Sequence, residues 1–139
     1  MIEILILLTI KHFVVDALLQ TPYQYLNKGI FLHPGGILHA GLHGLATIAC
    51  FYNFNLDMML MLGLVDMIIH YFIDYAKMNI GRKFKWSEYV NHNFGDSYLR
   101  INSNNFFIIL VLDQCLHFAT YIFLVWFAFD YQQLFYPAG

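Results

Sequence analysis

Apolar positions gather in four long runs, at 1–20, 36–55, 57–77 and 105–129, parted by stretches rich in proline, glycine, asparagine and lysine. A helix needs roughly 20 mostly apolar residues to cross a hydrocarbon core, so each run predicts a transmembrane helix. The expected fold is all-α: a four-helix transmembrane bundle making one integral membrane domain over 1–139. Between the first two runs, "QTPYQYLNKGIFLHPGG" breaks any helical period with Pro22, Pro34, Gly35 and Gly36 and reads as a short loop. Asn53 to Asp57 reads as a tight turn. The longest polar stretch, 78–104, reads as a cytoplasmic loop. Around Phe84 to Asn91 it predicts either irregular chain or an interfacial helix, with Lys83 and Lys85 at the headgroups and Phe84 and Trp86 below them.

Composition agrees with the pattern. Of 139 residues, 60% are hydrophobic and 12% charged, where about 25% charged is usual for soluble domains. The first run lacks a basic start and a small-residue cleavage site and carries Lys11, His12 and Asp16, so it reads as a retained helix rather than a secretory signal. The net charge of -2 matters less than where the cations fall. Lys28 lies in the first connection, and Lys77, Arg82, Lys83, Lys85 and Arg100 lie in or beside the third, whereas the opposite face has no Lys or Arg. The positive-inside rule then puts both connections in the cytoplasm and both termini outside it. Trp126, Phe127, Phe129, Tyr131, Phe135 and Tyr136 would contribute to an outer aromatic belt. Cys50 and Cys115 read as small core residues, and His33 and His92 as solvated loop residues. There is no glycine-rich phosphate loop, nucleophile elbow or basic stripe suited to nucleic acid.

Against this apolar background, each predicted helix carries one ionisable pair at spacing i, i+4: His12 and Asp16, His39 and His43, His70 and Asp74, Asp113 and His117. That spacing puts both members on one helix face, one turn apart. A single pair is most simply a hydrogen-bonded core couple. Four are harder to dismiss, because an ionisable group in a bilayer costs several kcal/mol unless partnered and marks a functional interior. At about 1.5 Å per residue, all four pairs lie roughly 5 to 18 Å from the cytoplasmic ends of their helices, in one layer. Imidazole and carboxylate suit zinc, iron or manganese, and bundle cores hold one or two such ions between facing helices. The expected ligand set is His12, Asp16, His39, His43, His70, Asp74, Asp113 and His117, some of the aspartates orienting histidines rather than coordinating. Asp66, one turn before His70, is the favoured orienting residue. "HFVVD" followed by "HAGLH" is echoed by "HYFID" followed by "DQCLH", which suggests two parallel helical hairpins about an approximate two-fold axis.

The combination of "HFVVDALLQT", "LHAGLHG", "HYFIDYAK" and "LDQCLHF" along essentially the whole chain resembles an uncharacterised family of small bacterial and phage membrane proteins, a domain-of-unknown-function group. Gln20, Thr21 and Gln114 match polar positions of that family; they would orient substrate or water, or serve as interfacial caps. The histidine and aspartate pairs are similar, in pattern only, to membrane-bound metal-dependent hydrolases, and that likeness implies hydrolysis by analogy.

The leading expectation is therefore an intramembrane metal-dependent hydrolase acting at the cytoplasmic side on a lipid headgroup or lipid-linked phosphate. Asp16 or Asp74 would be the general base, and Lys77 would either meet the phosphate or simply snorkel to the interface. Lys11 needs a partner that the sequence does not reveal. A proton or metal transporter would need further ionisable groups toward the outer face, where Glu3 and Asp130 stand alone in the first, second and fourth helices. A haem bundle would not need three carboxylates. A non-enzymatic bacterial or phage membrane factor, and a homo-oligomer, stay open.

Overall fold

The structure is a computed structural model that describes residues 1–91 and 97–135. Helix α1, Ile2–Val14, runs on into a π-helical turn, Val15–Leu19. The Thr21 hydroxyl accepts from the Gln24 N–H and the Gln24 side chain accepts from the Thr21 N–H, a capping box that starts α2, Pro22–Asn27. His33 Nδ1 accepts from the Gly35 N–H and opens α3, Pro34–Cys50. Asn55 caps α4, Leu56–Lys83, by accepting from the Met58 N–H. Lys85, at φ 56°, turns the chain into β1, Ser87–Asn91, which pairs antiparallel with β2, Ser97–Ile101. Helix α5, Asn105–Phe135, follows.

Several expectations are corrected here. The connection read as a plain loop holds α2, because Thr21, Pro22 and Gln24 together make a complete helix start. The third helix extends to Lys83, and neither the interfacial helix nor irregular chain occupies 84–91, because a β-hairpin begins at Ser87. Tyr89 and Val90 facing Leu99 and Tyr98 supply the aromatic and branched character that favours strands. The second helix ends at Cys50 rather than 55, because the chain turns at Phe51, whose carbonyl accepts from the Phe54 N–H. His33 is a partly buried helix cap rather than a solvated loop residue. Cys50 is buried, but Cys115 is exposed. His92 and Tyr136, and the side chain of Phe135, lie outside what is described.

The four long elements form a ring. Helix α4 packs along α3 on one side and α5 on the other, and α1 closes against α3 and α5. The α3–α4 contact is by far the closest, and glycine explains it. A Cβ on Gly44 would stand 2.7 Å from the Gly63 carbonyl oxygen, and one on Gly63 would stand 2.8 Å from that of Gly44. The positions that the sequence echo assigns to them in α5 and α1 are Phe118 and Leu5, so the two-fold relation does not extend to this interface. Gly63→Ala should lower unfolding stability by about 1–3 kcal/mol, since the forced separation of α3 and α4 outweighs the roughly 1 kcal/mol that alanine adds to a helix. Denaturant titration checks this, and a stabilised variant contradicts the close approach.

Polarity divides the bundle into two halves. One end is an apolar core of Leu8, Phe51, Leu62, Tyr121 and Leu124 among others. The other end buries charge: Lys11, Lys28, His39, His43, Asp66, His70, Asp74, Asp113 and His117 are each at most 7% exposed. Outside, Ile6, Ile10, Phe13, Leu64, Ile68, Phe72, Leu112, Ile122 and Trp126 are exposed. Helix α4 and the Asn105–Gln133 part of α5 are long and apolar enough to cross a membrane.

Candidate metal centre

The i, i+4 ladders deliver their side chains to one buried layer. Helix α1 supplies Lys11 and His12, and the π-helical turn supplies Asp16. Helix α3 supplies His39 and His43, α4 supplies Asp66, His70, Asp74 and Lys77, and α5 supplies Asp113, Gln114, His117 and Tyr121. All eight predicted ligand residues are brought together. His43 and His70 stack with ring centroids 3.6 Å apart, and His70 stacks on His117 at 4.1 Å.

Ligand atoms converge at three overlapping places: Asp16, His39, His43 and His70; His12, His70 and His117; and Asp74, Asp113 and His117, each set within 4.8 Å of one another. Their surroundings distinguish them. In the third set, Lys77 Nζ donates to Asp74 Oδ1 and Asp113 Oδ2 at 2.9 Å each, and Lys28 Nζ donates to Asp74 Oδ2 at 2.9 Å. Two ammonium groups already neutralise these two carboxylates. In the second set both ring nitrogens of His12 are engaged. The Tyr121 hydroxyl lies 2.9 Å from Nδ1, and Nε2 is 3.2 Å from Gln114 Oε1 and 3.3 Å from Asp16 Oδ2. With the hydroxyl donating to Nδ1, Nε2 carries the proton and serves Gln114 and Asp16.

In the first set the carboxylate of Asp16 has no lysine in ion-pair contact among the described residues, and its partners are imidazoles. Asp16 Oδ1 lies 3.1 Å from His43 Nε2 and 3.3 Å from His39 Nε2, and His39 Nε2 lies 3.2 Å from His70 Nε2. Tetrahedral ligand atoms at zinc bond lengths of about 2.0–2.1 Å stand about 3.3 Å apart, so these separations suit a coordination shell as well as hydrogen bonds. Lys28 Nζ is 3.5 Å from His39 Nε2, and a cation among the two facing Nε2 atoms and the carboxylate would take all three as ligands. Among the described residues the Nδ1 atoms of His39 and His70 have no hydrogen-bond partner.

A second network braces the layer from the apolar side. Lys11 Nζ donates to Asp66 Oδ2 at 2.6 Å, the Thr47 hydroxyl donates to the same oxygen at 2.6 Å, and the ammonium lies 4.6 Å from the Tyr121 ring centroid. Asp66 is thus held by Lys11 and Thr47, whereas the sequence favoured it as the orienter of His70. Its Oδ1 and the His70 Nδ1 are both without a partner. Lys77 lies inside the layer between two aspartates instead of snorkelling. Sequence reasoning missed Lys28, Thr47 and Tyr121. A signal existed for two of them: Thr47 follows His43, and Tyr121 follows His117, at four residues, so each extends its ladder by a turn.

A cleft of about 200 Å³ leads to the layer. Its polar wall includes Asp16, Gln20, Lys28, Lys77 and Gln114. Asp16 has the most exposed side chain of the first ligand set, at 32%. Tyr25 also lines the cleft, and burial pushes its phenol up from its ordinary value, so it stays a neutral hydroxyl there. Thr21 is a cap, one of the two roles weighed for it.

The sequence profile described as "Protein of unknown function (DUF3307)" matches residues 4–137. The chain belongs to that family. No curated protein and no solved structure matches the DUF3307 chain. The match covers both halves of the bundle and every residue of the buried layer, so the whole constellation lies within the DUF3307 domain.

Proposed function

We propose that this DUF3307 protein is a membrane-embedded metal-dependent hydrolase of the bacterial inner membrane, with a transition-metal ion, zinc by preference and iron or manganese by the same donor set, held by Asp16, His39, His43 and His70. The observation that carries the reading is the convergence of the His39 and His43 Nε2 atoms on Asp16 Oδ1, with His70 Nε2 3.2 Å from that of His39; among the described residues no lysine is paired to that carboxylate, while every other aspartate of the layer has one. The remaining predicted ligands then fall into supporting roles: His12 steadies Asp16, and Asp74, Asp113 and His117 form a wall neutralised by Lys28 and Lys77.

The membrane setting is supported by the inverted polarity, with charge inside and Leu, Ile and Phe outside on all four long elements. Orientation rests on Arg82, Lys83, Lys85 and Arg100 alone, now that Lys28 and Lys77 are taken up inside the layer; they still put the cleft at the cytoplasmic face. A C-terminal alkaline phosphatase fusion should be active and a C-terminal fluorescent-protein fusion dark; the reverse result overturns the topology.

Bound metal lowers the pKa of water to about 7 and polarises a phosphoryl or acyl oxygen. Asp16 meets the cleft, so it is the carboxylate that arriving water reaches, and its Oδ2 toward His12 would take the proton as the water oxygen bonds to phosphorus or acyl carbon, then pass it to the departing alkoxide as the ester bond breaks and the alcohol leaves. Asp74 gives both oxygens to lysines and is the weaker candidate. Asp16→Asn, which also removes a proposed ligand atom, should lower hydrolysis of a lipid or lipid-linked phosphate by about a hundredfold or more per bound metal ion, with metal content measured in both proteins. An unchanged rate removes Asp16 from the chemistry. Absence of hydrolysis across a panel of phospholipids and lipid-linked phosphates, with metal retained, overturns the enzyme. Transport fits less well, because Leu8, Phe51, Leu62 and Leu124 fill the bundle beyond the layer.

A further inference from the structure

The cleft beside the layer has a mixed lining. Lys28, Lys77, Gln20 and Gln114 give it polar groups, and Leu99 and Ile101 of β2 with Phe106 and Leu110 of α5 give it an apolar part. Phe106 is buried, but Ile101 is 46% and Leu110 37% exposed, so the apolar wall continues onto the outer surface of the bundle, where the apolar side chains of α5 lie. A ligand that fills this space needs a compact polar head and an apolar chain leaving sideways between β2 and α5.

Charge identifies the head. Asp74 and Asp113 face Lys28 and Lys77, and Asp16 stands among the imidazoles beside them, three carboxylates against two ammonium groups, so with neutral imidazoles this part of the layer carries -1. A divalent ion at Asp16 changes that to +1. The cleft therefore repels an anion when empty of metal and attracts one when loaded, and lysines already paired to aspartates can still offer their remaining protons, since an ammonium has three.

The geometry points to an amphiphilic phosphate monoester drawn from the bilayer as the occupant, its phosphate against Lys28, Lys77 and Gln114 and its chain along Phe106 and Leu110, with binding conditional on the metal. The inference rests on the metal centre proposed above for its charge alone; it names the substrate class and does not require turnover.

Decyl phosphate, inorganic phosphate and decanol, titrated calorimetrically into the protein in phosphatidylcholine nanodiscs with empty nanodiscs subtracted, test it. Metal-loaded protein should bind decyl phosphate about tenfold or more tighter than inorganic phosphate, the factor that two methylenes against the apolar wall supply. Decanol should bind weakly, and chelation should abolish decyl phosphate binding. Leu110→Asn, which adds polarity without charge, should weaken decyl phosphate more than inorganic phosphate and leave metal content unchanged, which separates the chain-binding wall from the metal site. Equal affinity for the two phosphates overturns the amphiphile and leaves a free-phosphate site; equal affinity with and without metal overturns the charge argument. No binding by protein whose metal content is verified overturns the inference while the metal centre stands. Wild-type protein without metal overturns both, and elemental analysis distinguishes that case.

Discussion

His43→Ala should purify without metal and should unfold at a temperature that chelator no longer changes. In the folded protein His43 Nε2 lies 3.1 Å from Asp16 Oδ1, and its ring stacks on His70 at 3.6 Å, so in the proposed site it would both supply a ligand and fix the ring of another. Anything that binds the native state alone stabilises it; at a thousandfold excess over Kd the gain is about 4 kcal/mol. At about 3 °C per kcal/mol, stripping wild-type protein should lower its midpoint by roughly 10 °C. His43→Ala should start near the stripped value and stay there. His43 has a competing arrangement: its Nδ1 is 3.4 Å from Lys11 Nζ, and a proton on Nε2 would then go to Asp16 with no ion involved. In that case elemental analysis of wild-type protein prepared without chelator finds no transition metal, and its midpoint ignores chelator. That pair of results ends the metal reading.

The layer was legible because burial of charge in an apolar chain is expensive, so each ionisable residue in "HFVVD" or "HYFID" announces a partner on another helix. Spacing alone assigned the face and rough depth of all eight. What the sequence did not carry was the division of labour among them. Lys28 sits outside every apolar run, where a cation reads as a topology signal, yet α2 folds it inward onto Asp74. That inward turn depends on the Thr21–Gln24 capping box within a segment dominated by its proline and glycines. The hairpin escaped for a related reason: Trp86, Tyr89 and Lys85 suit a headgroup helix as well as a strand, and the choice falls to pairing with Ser97–Ile101 further along the chain. The unequal packing of α3–α4 and α1–α5 was visible as glycine at 44 and 63 against Phe118 and Leu5, but only once the echo had aligned the halves.

The lysines offer the sharpest test of which aspartates belong to the ion. Lys77 holds Asp74 and Asp113 at 2.9 Å each from a side chain that is 11% exposed, and removing one partner of a buried ion pair costs about 3–5 kcal/mol because the other charge is stranded. Lys77→Met keeps the aliphatic length and deletes the ammonium, so it should lose about that much in chelator. Adding Asp113→Asn to it removes one stranded charge and should restore part of the loss. Metal supplies a second route to rescue. Without Lys77, the Asp74–Asp113–His117 set has two carboxylates and an imidazole within 4.8 Å, and Lys28 compensates one carboxylate only. Zinc should therefore stabilise Lys77→Met more than it stabilises wild-type protein, and elemental analysis should count one more ion per chain. In Lys77→Met/Asp113→Asn the extra ion should be lost again. If Lys77→Met is as stable as wild-type protein in chelator, the ammonium is not neutralising these carboxylates. If it takes up no additional zinc, the third set lacks the geometry of a site, and the layer holds a single ion whose ligands are Asp16 and the three histidines around it.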